Sequence, residues 1–319
     1  MTAPLVLAET AAGREFRAAQ EGPHLSELPA TDMREAYRQL GDAFDSPAET
    51  GIRTVDFAGP DCALRAYFPG AAQAGPVIVY MHGGGWVIGD LETHHALCGL
   101  IARLSGLRVV AVDYRLAPEH PFPRAHEDCL AATAFVASNP TALEAPVTGV
   151  AVAGDSAGGN LAFFVSDRLG REKVLGQLLI YPVGDCTGPA EGSYRDFAEG
   201  YLLDRRLMDR FISDYLPDTA QTAQRDVSPL LHDLDTANLP PAVIMTAGLD
   251  PLRDQGRELA DRIIAGGVET HYIEAAGLIH GMATMRKAFP SGEQILRRAV
   301  AIFTDVIRTE LNKREEGKA

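Results

Sequence analysis

The sequence predicts an α/β fold in which about eight mostly parallel strands form one sheet, with flanking helices and a helical cap. Three observations support this prediction. Short, uninterrupted apolar runs bounded by Gly, Pro or Asp are typical of strands that are buried on both faces. Longer helical patterns lie between these runs, and such alternation indicates parallel β-α-β units. Two further segments stand outside the alternation and would form the cap.

The predicted elements follow in a regular order along the chain. An antiparallel hairpin comes first, because two alternating runs flank the turn Gly59-Pro60-Asp61. The predicted strands are 52–57, 62–68, 77–81, 107–112, 150–153, 178–181, 242–247 and 268–274. The predicted helices are 92–104, 124–138, 156–170, 252–266 and 293–311.

The two segments outside the alternation divide the chain. We predict N-terminal cap helices over 1–45, a first part of the core over 46–184, a cap insertion over 185–225 and the rest of the core over 226–319. Asp204 is placed to cap a helix in the insertion. Both segments carry apolar stripes at helical spacing, which must be buried against something. These stripes are Met33, Tyr37, Leu40 and Phe44, and Leu207, Met208, Phe211, Ile212 and Tyr215.

The amino-acid composition narrows the classes of protein to which this chain can belong. With 46% hydrophobic and 23% charged residues, the chain resembles an ordinary globular protein rather than a disordered one. The 319 residues carry a formal net charge of −14, which disfavours nucleic acid as a partner. The four cysteines show no metal-ligand spacing, and no apolar run approaches the roughly 18 residues that span a bilayer. We expect a cytoplasmic protein without membrane partners, and a homodimer is left open.

A candidate nucleophile lies in the motif Gly154-Asp155-Ser156-Ala157-Gly158. The motif alone is weak evidence, but here it follows a predicted strand and opens a predicted helix. A turn this sharp presents the serine hydroxyl clear of the sheet, and the flanking glycines remove side chains that would clash. The alternative interpretation is a glycine-rich turn in which the serine only caps the helix.

A His-Gly-Gly-Gly-Trp motif directly follows the strand that ends at residue 81. Ester hydrolysis passes through a tetrahedral oxyanion, which preorganised N–H groups stabilise. We predict donors from Gly83, Gly84 and Gly85, favouring the last two, together with Ala157 after the nucleophile. A phosphate-binding loop is the competing interpretation, but no Lys-Ser/Thr follows the glycines. His82 is expected to shape this loop rather than to react.

The acid and the histidine of a catalytic triad should follow the serine in that order. Asp250 follows the strand 242–247, and carboxyl ends of parallel strands carry the functional groups of such sheets. Asp254 lies four residues later, inside the next predicted helix, where a structural role is expected. His280 follows the last strand, whereas His271 lies within it. We therefore predict the triad Ser156, Asp250 and His280.

Together these motifs resemble the bacterial hormone-sensitive lipase family of carboxylesterases over roughly residues 50–310. The resemblance implies the α/β-hydrolase fold, a helical cap, no cofactor, and hydrolysis of short- to medium-chain acyl esters. Two departures beside the histidine, Met282 and the segment 275–277, affect the shape of the pocket more than the chemistry. The motifs that carry the resemblance are His82–Trp86, Tyr114–His120, Gly154–Asn160, Asp250–Asp254 and Ile279–Gly281.

The sequence thus predicts a serine carboxylesterase that acts on a small-molecule ester through a covalent acyl-enzyme. The substrate-pocket candidates are Trp86, Tyr194, Phe197, Phe211, Tyr215 and Met282. No metal is expected, because no His, Cys or Asp cluster has ligand spacing. Three alternatives remain: the same triad acting on an amide, formamide or lactone; a ligand-binding protein on a hydrolase scaffold; and a scaffold role through the acidic surface.

Overall fold

The structure is a computed structural model that describes residues 5–18 and 22–317, the side chains of 16–18 excepted. Eight strands form one sheet in the order β1-β2-β4-β3-β5-β6-β7-β8. The prediction of an eight-stranded, mostly parallel sheet is therefore confirmed. The strands are β1 (Arg53–Ala58), β2 (Ala63–Phe68), β3 (Gly75–Met81), β4 (Arg108–Asp113), β5 (Val147–Asp155), β6 (Val174–Ile180), β7 (Ala242–Leu249) and β8 (Thr270–Ile279).

The pairing matches the sequence pattern. Strands β1 and β2 form the predicted antiparallel hairpin, and β2 also pairs antiparallel with β4. The remaining strands pair in parallel from β4 to β8. Every residue of β6 and β7 is buried, which explains why these strands appear in the sequence as continuous apolar runs.

Helices cover both faces of the sheet. Helices α4, α5 and α8 contribute to one hydrophobic cluster, whereas α3 and α9 contribute to the other. Alternate residues of each strand supply the two clusters, as with Val79 and Tyr80 of β3. The helices are α1 (Ala8–Ala18), α2 (Ala30–Phe44), α3 (His95–Ser105), α4 (Arg124–Ala137), α5 (Ala157–Leu169), α6 (Ser193–Asp196), α7 (Arg205–Tyr215), α8 (Arg253–Ala265) and α9 (Pro290–Glu316).

Four of the described α-helices, α1, α2, α6 and α7, lie in the segments predicted to form a cap. Helix α2 buries Met33, and α7 buries Leu207, Met208, Phe211 and Tyr215. The Asp204 carboxylate accepts a hydrogen bond from the Leu207 N–H, as an N-cap does. None of the described helices combines the length and the apolar character that crossing a bilayer requires.

A buried ion pair ties the end of α2 to the loop that follows β8. The Asp45 carboxylate accepts hydrogen bonds of 2.7 and 3.0 Å from the guanidinium of Arg286 and one of 3.1 Å from its backbone N–H. The Arg286 side chain is 1% exposed and that of Asp45 is 9% exposed. The pair therefore fixes the C-terminal end of α2 next to the loop between β8 and α9.

We expect Asp45→Ala to lower the free energy of unfolding by about 3–5 kcal/mol, because it leaves a buried guanidinium without its charged partner. Denaturant titration of the purified variant measures this loss. The matched control is Glu144→Ala, which breaks the half-exposed Arg53–Glu144 pair and should cost at most about 1 kcal/mol. Equal losses in the two variants would contradict the role assigned to Asp45.

Candidate active site

Four loops meet at the carboxyl edge of the parallel strands. The glycine loop follows β3, Ser156 follows β5, Asp250 follows β7 and His280 follows β8. Since these strands are parallel, their carboxyl ends lie at the same edge of the sheet. Residues that are far apart in sequence thereby come within hydrogen-bonding distance.

Ser156 occupies a sharp turn between β5 and α5. Its backbone angles are φ 58° and ψ −120°, which a non-glycine residue rarely adopts. A Cβ atom at Gly154 would lie 2.1 Å from the Gly158 carbonyl oxygen, and one at Gly158 would lie 2.0 Å from the Met81 carbonyl oxygen. Only glycine fits at either position, so the strained turn that exposes the serine hydroxyl depends on both.

Ser156, His280 and Asp250 form a hydrogen-bonded chain. The Nε2 atom of His280 lies 2.9 Å from Ser156 Oγ, and its Nδ1 atom lies 2.8 Å from Asp250 Oδ2. Asp250 is fully buried, and its other oxygen accepts a hydrogen bond from the Leu252 N–H at 2.8 Å. The carboxylate thus holds the imidazole in the orientation that places Nε2 next to the serine hydroxyl.

Asp254, the competing acid, lies elsewhere. Its carboxylate accepts a hydrogen bond from the Ser193 N–H at 2.8 Å and pairs with Arg253 at 2.8 Å. These contacts join the short helix α6 to the start of α8. The structural role expected for Asp254 agrees with this placement.

The glycine loop presents free N–H groups at the site. The Gly83 N–H donates to Asp155 Oδ1 at 2.9 Å and so is engaged within the protein. Gly84 (φ 120°) and Gly85 (φ 58°) adopt left-handed backbone angles, and the described part of the chain offers neither N–H an acceptor. Ala157 is the first residue of α5, so its N–H has no acceptor within the helix. Gly84, Gly85 and Ala157 are therefore the available donors, and Gly83 is not.

The Asp155 carboxylate holds the first residue of the glycine loop in place. This buried carboxylate accepts hydrogen bonds from the Tyr80 hydroxyl at 2.7 Å and the Gly83 N–H at 2.9 Å, and lies 3.2 Å from His94 Nε2. Burial acts to raise the pKa of Asp155, but the adjacent His94 and the hydrogen bonds from Tyr80 and Gly83 outweigh it and lower this pKa below its ordinary value. The ionised carboxylate thus fixes the first glycine of the loop. Our sequence prediction missed this role, although Asp155 lies within the nucleophile motif.

We expect Asp155→Asn to lower kcat by about tenfold to a hundredfold with little change in KM, because a loosened loop stabilises the oxyanion less well. Steady-state kinetics on a reactive ester separates the two constants. Tyr80→Phe is the control, since it removes one donor to Asp155 and leaves the contact with Gly83. A change in KM alone would show that Asp155 shapes substrate binding and does not position the loop.

His82 and the loop 114–123 have structural roles. The His82 ring stacks on Tyr114 at 4.1 Å, and the Tyr114 hydroxyl donates to the His82 carbonyl. Burial, together with the nearby His94, lowers the pKa of His82 to about 4, so its ring is neutral at neutral pH. Glu119 pairs with Arg34 of α2 at 2.6 Å, away from the triad. These contacts support the glycine loop, as the sequence analysis expected of His82.

A cavity of about 130 Å³ lies in front of Ser156. Helix α2 contributes Tyr37 and Leu40 to its wall, and Phe211 of α7 lies so close to Gly85 that a Cβ atom there would be 2.2 Å from its ring. Trp86 and Phe211 are the two pocket candidates that line this cavity. The full lining is Leu25, Ala36, Tyr37, Leu40, Gly84, Gly85, Trp86, Ile88, Asp155, Ser156, Val183, Leu202, Leu203, Leu207, Met208, Phe211, His280 and Gly281.

The other four pocket candidates need correction, because their side chains are buried away from this cavity. Tyr215 stacks on Trp86 at 4.7 Å, with its hydroxyl 2.7 Å from His126 Nδ1, so it supports the wall from behind. Phe197 packs edge-on against Tyr201. The other two, Tyr194 and Met282, are 1% and 0% exposed within the two hydrophobic clusters. The stripe on α7 identified four residues that are buried, Leu207, Met208, Phe211 and Tyr215, but it did not distinguish the side that faces the substrate.

No group of three or more His, Cys, Asp or Glu side chains that could hold a metal ion occurs among the residues that the structure describes. A family model for the α/β-hydrolase fold matches residues 78–284, well over half of the chain. The chain belongs to the α/β-hydrolase family. This membership confirms the fold that the motif resemblance predicted.

Several proteins similar to this α/β-hydrolase are named as esterases. The carboxylic ester hydrolase LipN of Mycobacterium tuberculosis is 37% identical, over 79% of this chain and 70% of the relative. The esterase LipI of the same organism is 36% identical, over 88% of this chain and 91% of the relative. The crystal structure of an α/β-hydrolase enzyme from the metagenome of Lake Arreo has a TM-score of 0.86 and 36% identity, and the match covers 94% of this chain and 98% of that chain.

Proposed function

We propose that this protein is a serine carboxylesterase that hydrolyses short- to medium-chain acyl esters through a covalent acyl-enzyme. The observation that supports the proposal most directly is the hydrogen-bonded chain from Ser156 through His280 to the buried Asp250. The esterase relatives, at 36–37% identity over most of the chain, point to the same activity. An ethyl acetate hydrolase of Pseudomonas putida is 34% identical over 81% of this chain.

In the first step the serine attacks the ester carbonyl. His280 Nε2, 2.9 Å from Ser156 Oγ, accepts the hydroxyl proton as the new C–O bond forms. The imidazolium that results is stabilised by Asp250, which keeps the proton on Nδ1. The carbonyl oxygen becomes an oxyanion and accepts hydrogen bonds from the N–H groups of Gly84, Gly85 and Ala157.

In the second step the tetrahedral intermediate collapses. The protonated His280 gives its proton to the leaving alcohol, and the acyl group remains on Ser156. A water molecule then takes the place of the alcohol, with His280 as general base, and the carboxylic acid is released. The strained backbone at Ser156 and the N-terminal end of α5 hold the Ser156 Oγ atom and the N–H donors in the same positions during both steps.

The size of the cavity supports a short acyl group. A volume of about 130 Å³ is close to that of cavities in other proteins that hold one benzene ring, at about 150 Å³. Its wall is formed chiefly by leucines, aromatic rings and glycines, so the group that it binds is apolar.

We also propose that residues 1–45 and 185–225 act as the predicted cap. Support comes from side chains of both segments that line the same cavity as Ser156 and His280, namely Tyr37 and Leu40 of α2 and Leu207, Met208 and Phe211 of α7. A cytoplasmic location stays a prediction, and the sequence left open whether the protein forms a homodimer. The four cysteines are unpaired, which suits a reducing compartment. Cell fractionation and light scattering test these two points.

A panel of aryl esters of graded acyl length, run beside anilides of the same acids, tests the activity. We expect turnover of the short esters, falling as the acyl chain grows beyond the cavity, with the anilides far slower. Faster turnover of the anilides would identify an amidase on the same triad. Absence of turnover on either series would leave the ligand-binding alternative.

A further inference from the structure

A second cavity of about 530 Å³ lies beside the catalytic one among the described residues. It is lined by residues of α1 and α2 and of the segments 22–28, 200–202 and 285–289. The two cavities share four side chains, which therefore form the wall between them: Leu25, Ala36, Leu40 and Leu202. The second cavity is thus separated from Ser156 by apolar side chains alone.

The second cavity suits an apolar group. Its wall includes Leu28, Met285 and Phe289, and three of its four polar side chains have hydrogen-bond partners within the protein. Arg14 donates to the Gly200 carbonyl at 3.1 Å, whereas His24 pairs with Asp204 at 2.8 Å. Gln39 donates to Glu35 at 2.9 Å, and the Arg14 guanidinium lies over the Tyr201 ring at 4.6 Å. A ligand there would have apolar surface to contact and few polar groups left to satisfy.

The volumes of the two cavities also favour a substrate that occupies both of them. Ligand sites usually measure about 300–1,000 Å³, whereas the catalytic cavity measures about 130 Å³ and the second about 530 Å³. An ester larger than a few carbon atoms therefore needs more room than the catalytic cavity gives.

Leu25 is the part of the wall that contacts with the region of α7 hold in place. It lies in a short helical turn, Leu25–Glu27, and the residues on both sides of it are bound to the region of α7. Besides the His24–Asp204 pair, Arg210 of α7 donates to the Ser26 carbonyl at 2.8 Å. The backbone at Leu25 is thereby held in place, so entry to the second cavity depends on the size of this side chain.

The second cavity lies on the side of the leaving alcohol. His280 protonates the alcohol oxygen, so that oxygen must lie within hydrogen-bonding distance of its ring. Ile279, which precedes His280, and Met285, which follows it, both line the second cavity. A Cβ atom at Gly281 would lie 3.2 Å from Leu202 of the shared wall. A chain attached to the alcohol oxygen therefore points along the histidine loop toward this wall.

We propose that the second cavity binds the alcohol half of esters with a long apolar alcohol, and that Leu25 limits entry to it. This inference rests on the proposed esterase activity and adds a subsite and a specificity-determining residue. Small alcohols stop at Leu25, whereas longer ones displace its side chain and continue into the second cavity.

Two isomeric esters test this inference, because octyl acetate carries its long chain on the alcohol and ethyl octanoate carries it on the acid. Each kcat/KM is divided by that for ethyl acetate. We expect Leu25→Ala to raise the octyl acetate ratio by about tenfold and Ala288→Phe, which fills the second cavity, to lower it by about tenfold. The ethyl octanoate ratio should stay within about twofold of wild type in Ala288→Phe, and in Leu25→Ala it should change less than the octyl acetate ratio, because Leu25 also lines the catalytic cavity.

Leu231→Ala is the matched control, since this exposed leucine lines neither cavity. Its two ratios should equal those of the wild type. If Ala288→Phe does not fold, Ala43→Leu fills the same cavity from α2. The inference is overturned if the octyl acetate ratio keeps its wild-type value, if the ethyl octanoate ratio responds instead, or if both ratios change equally. Wild-type turnover of ethyl acetate no higher than that of Ser156→Ala would overturn the esterase activity itself.

Discussion

Ser156→Ala is expected to lower kcat on a reactive aryl ester by about 10⁴-fold or more, because no other group takes over covalent attack. The residual rate would come from the oxyanion donors and from substrate binding. The Ser156 hydroxyl is small and the turn around it is fixed by Gly154 and Gly158, so the fold should not change. Single-turnover and steady-state kinetics measure the effect.

A serine-directed organophosphorus reagent provides the control for this prediction. It should label one site in the wild-type protein and none in Ser156→Ala, as read by intact mass. Circular dichroism of the variant should match the wild type. Labelling that persists in the variant would place the nucleophile elsewhere.

Asp250→Asn is expected to lower kcat by about 10³–10⁴-fold, since an amide favours the wrong tautomer of His280 and cannot stabilise its imidazolium. Asp254→Asn is the matched comparison, four residues away, and should cost less than about tenfold because that carboxylate caps α6 at Ser193. The pH profile of kcat/KM separates the two roles. Small and equal effects from both variants would mean that the acid of the triad is a different residue.

The backbone around the site could be predicted because its signals are local. The glycines at 154 and 158 are required by carbonyl oxygens about 2 Å from any added Cβ atom, and such a requirement is visible as a motif. The strands β5 and β8 extend to Asp155 and Ile279, farther than predicted, so Ser156 and His280 follow their strands directly. The loop positions predicted for the triad depended on the order of strands and helices alone.

The wall of the pocket could not be predicted in the same way. Periodicity identifies a buried face of a helix, but not which buried residue faces substrate and which faces the core. On α7, Phe211 lines the cavity while Tyr215, one turn later, lies behind Trp86. The segment near Leu25 carries no periodic signal at all. Its place between two cavities depends on contacts with α7 that no local pattern predicts.

Helix α2 is attached to the catalytic loops at both ends. Near its start, Arg34 donates to the carbonyl groups of Val87 and Ala117, which lie beside the glycine loop. At its end, Asp45 binds Arg286, just past the loop that carries His280. The donors to the oxyanion and the catalytic base are thereby joined through one helix.

This double attachment makes α2 and the two loops one cooperative unit of local unfolding. Hydrogen exchange of the α2 amides should then report on the fraction of molecules that are competent for catalysis. The wall formed by α2 moves only when the catalytic loops move with it.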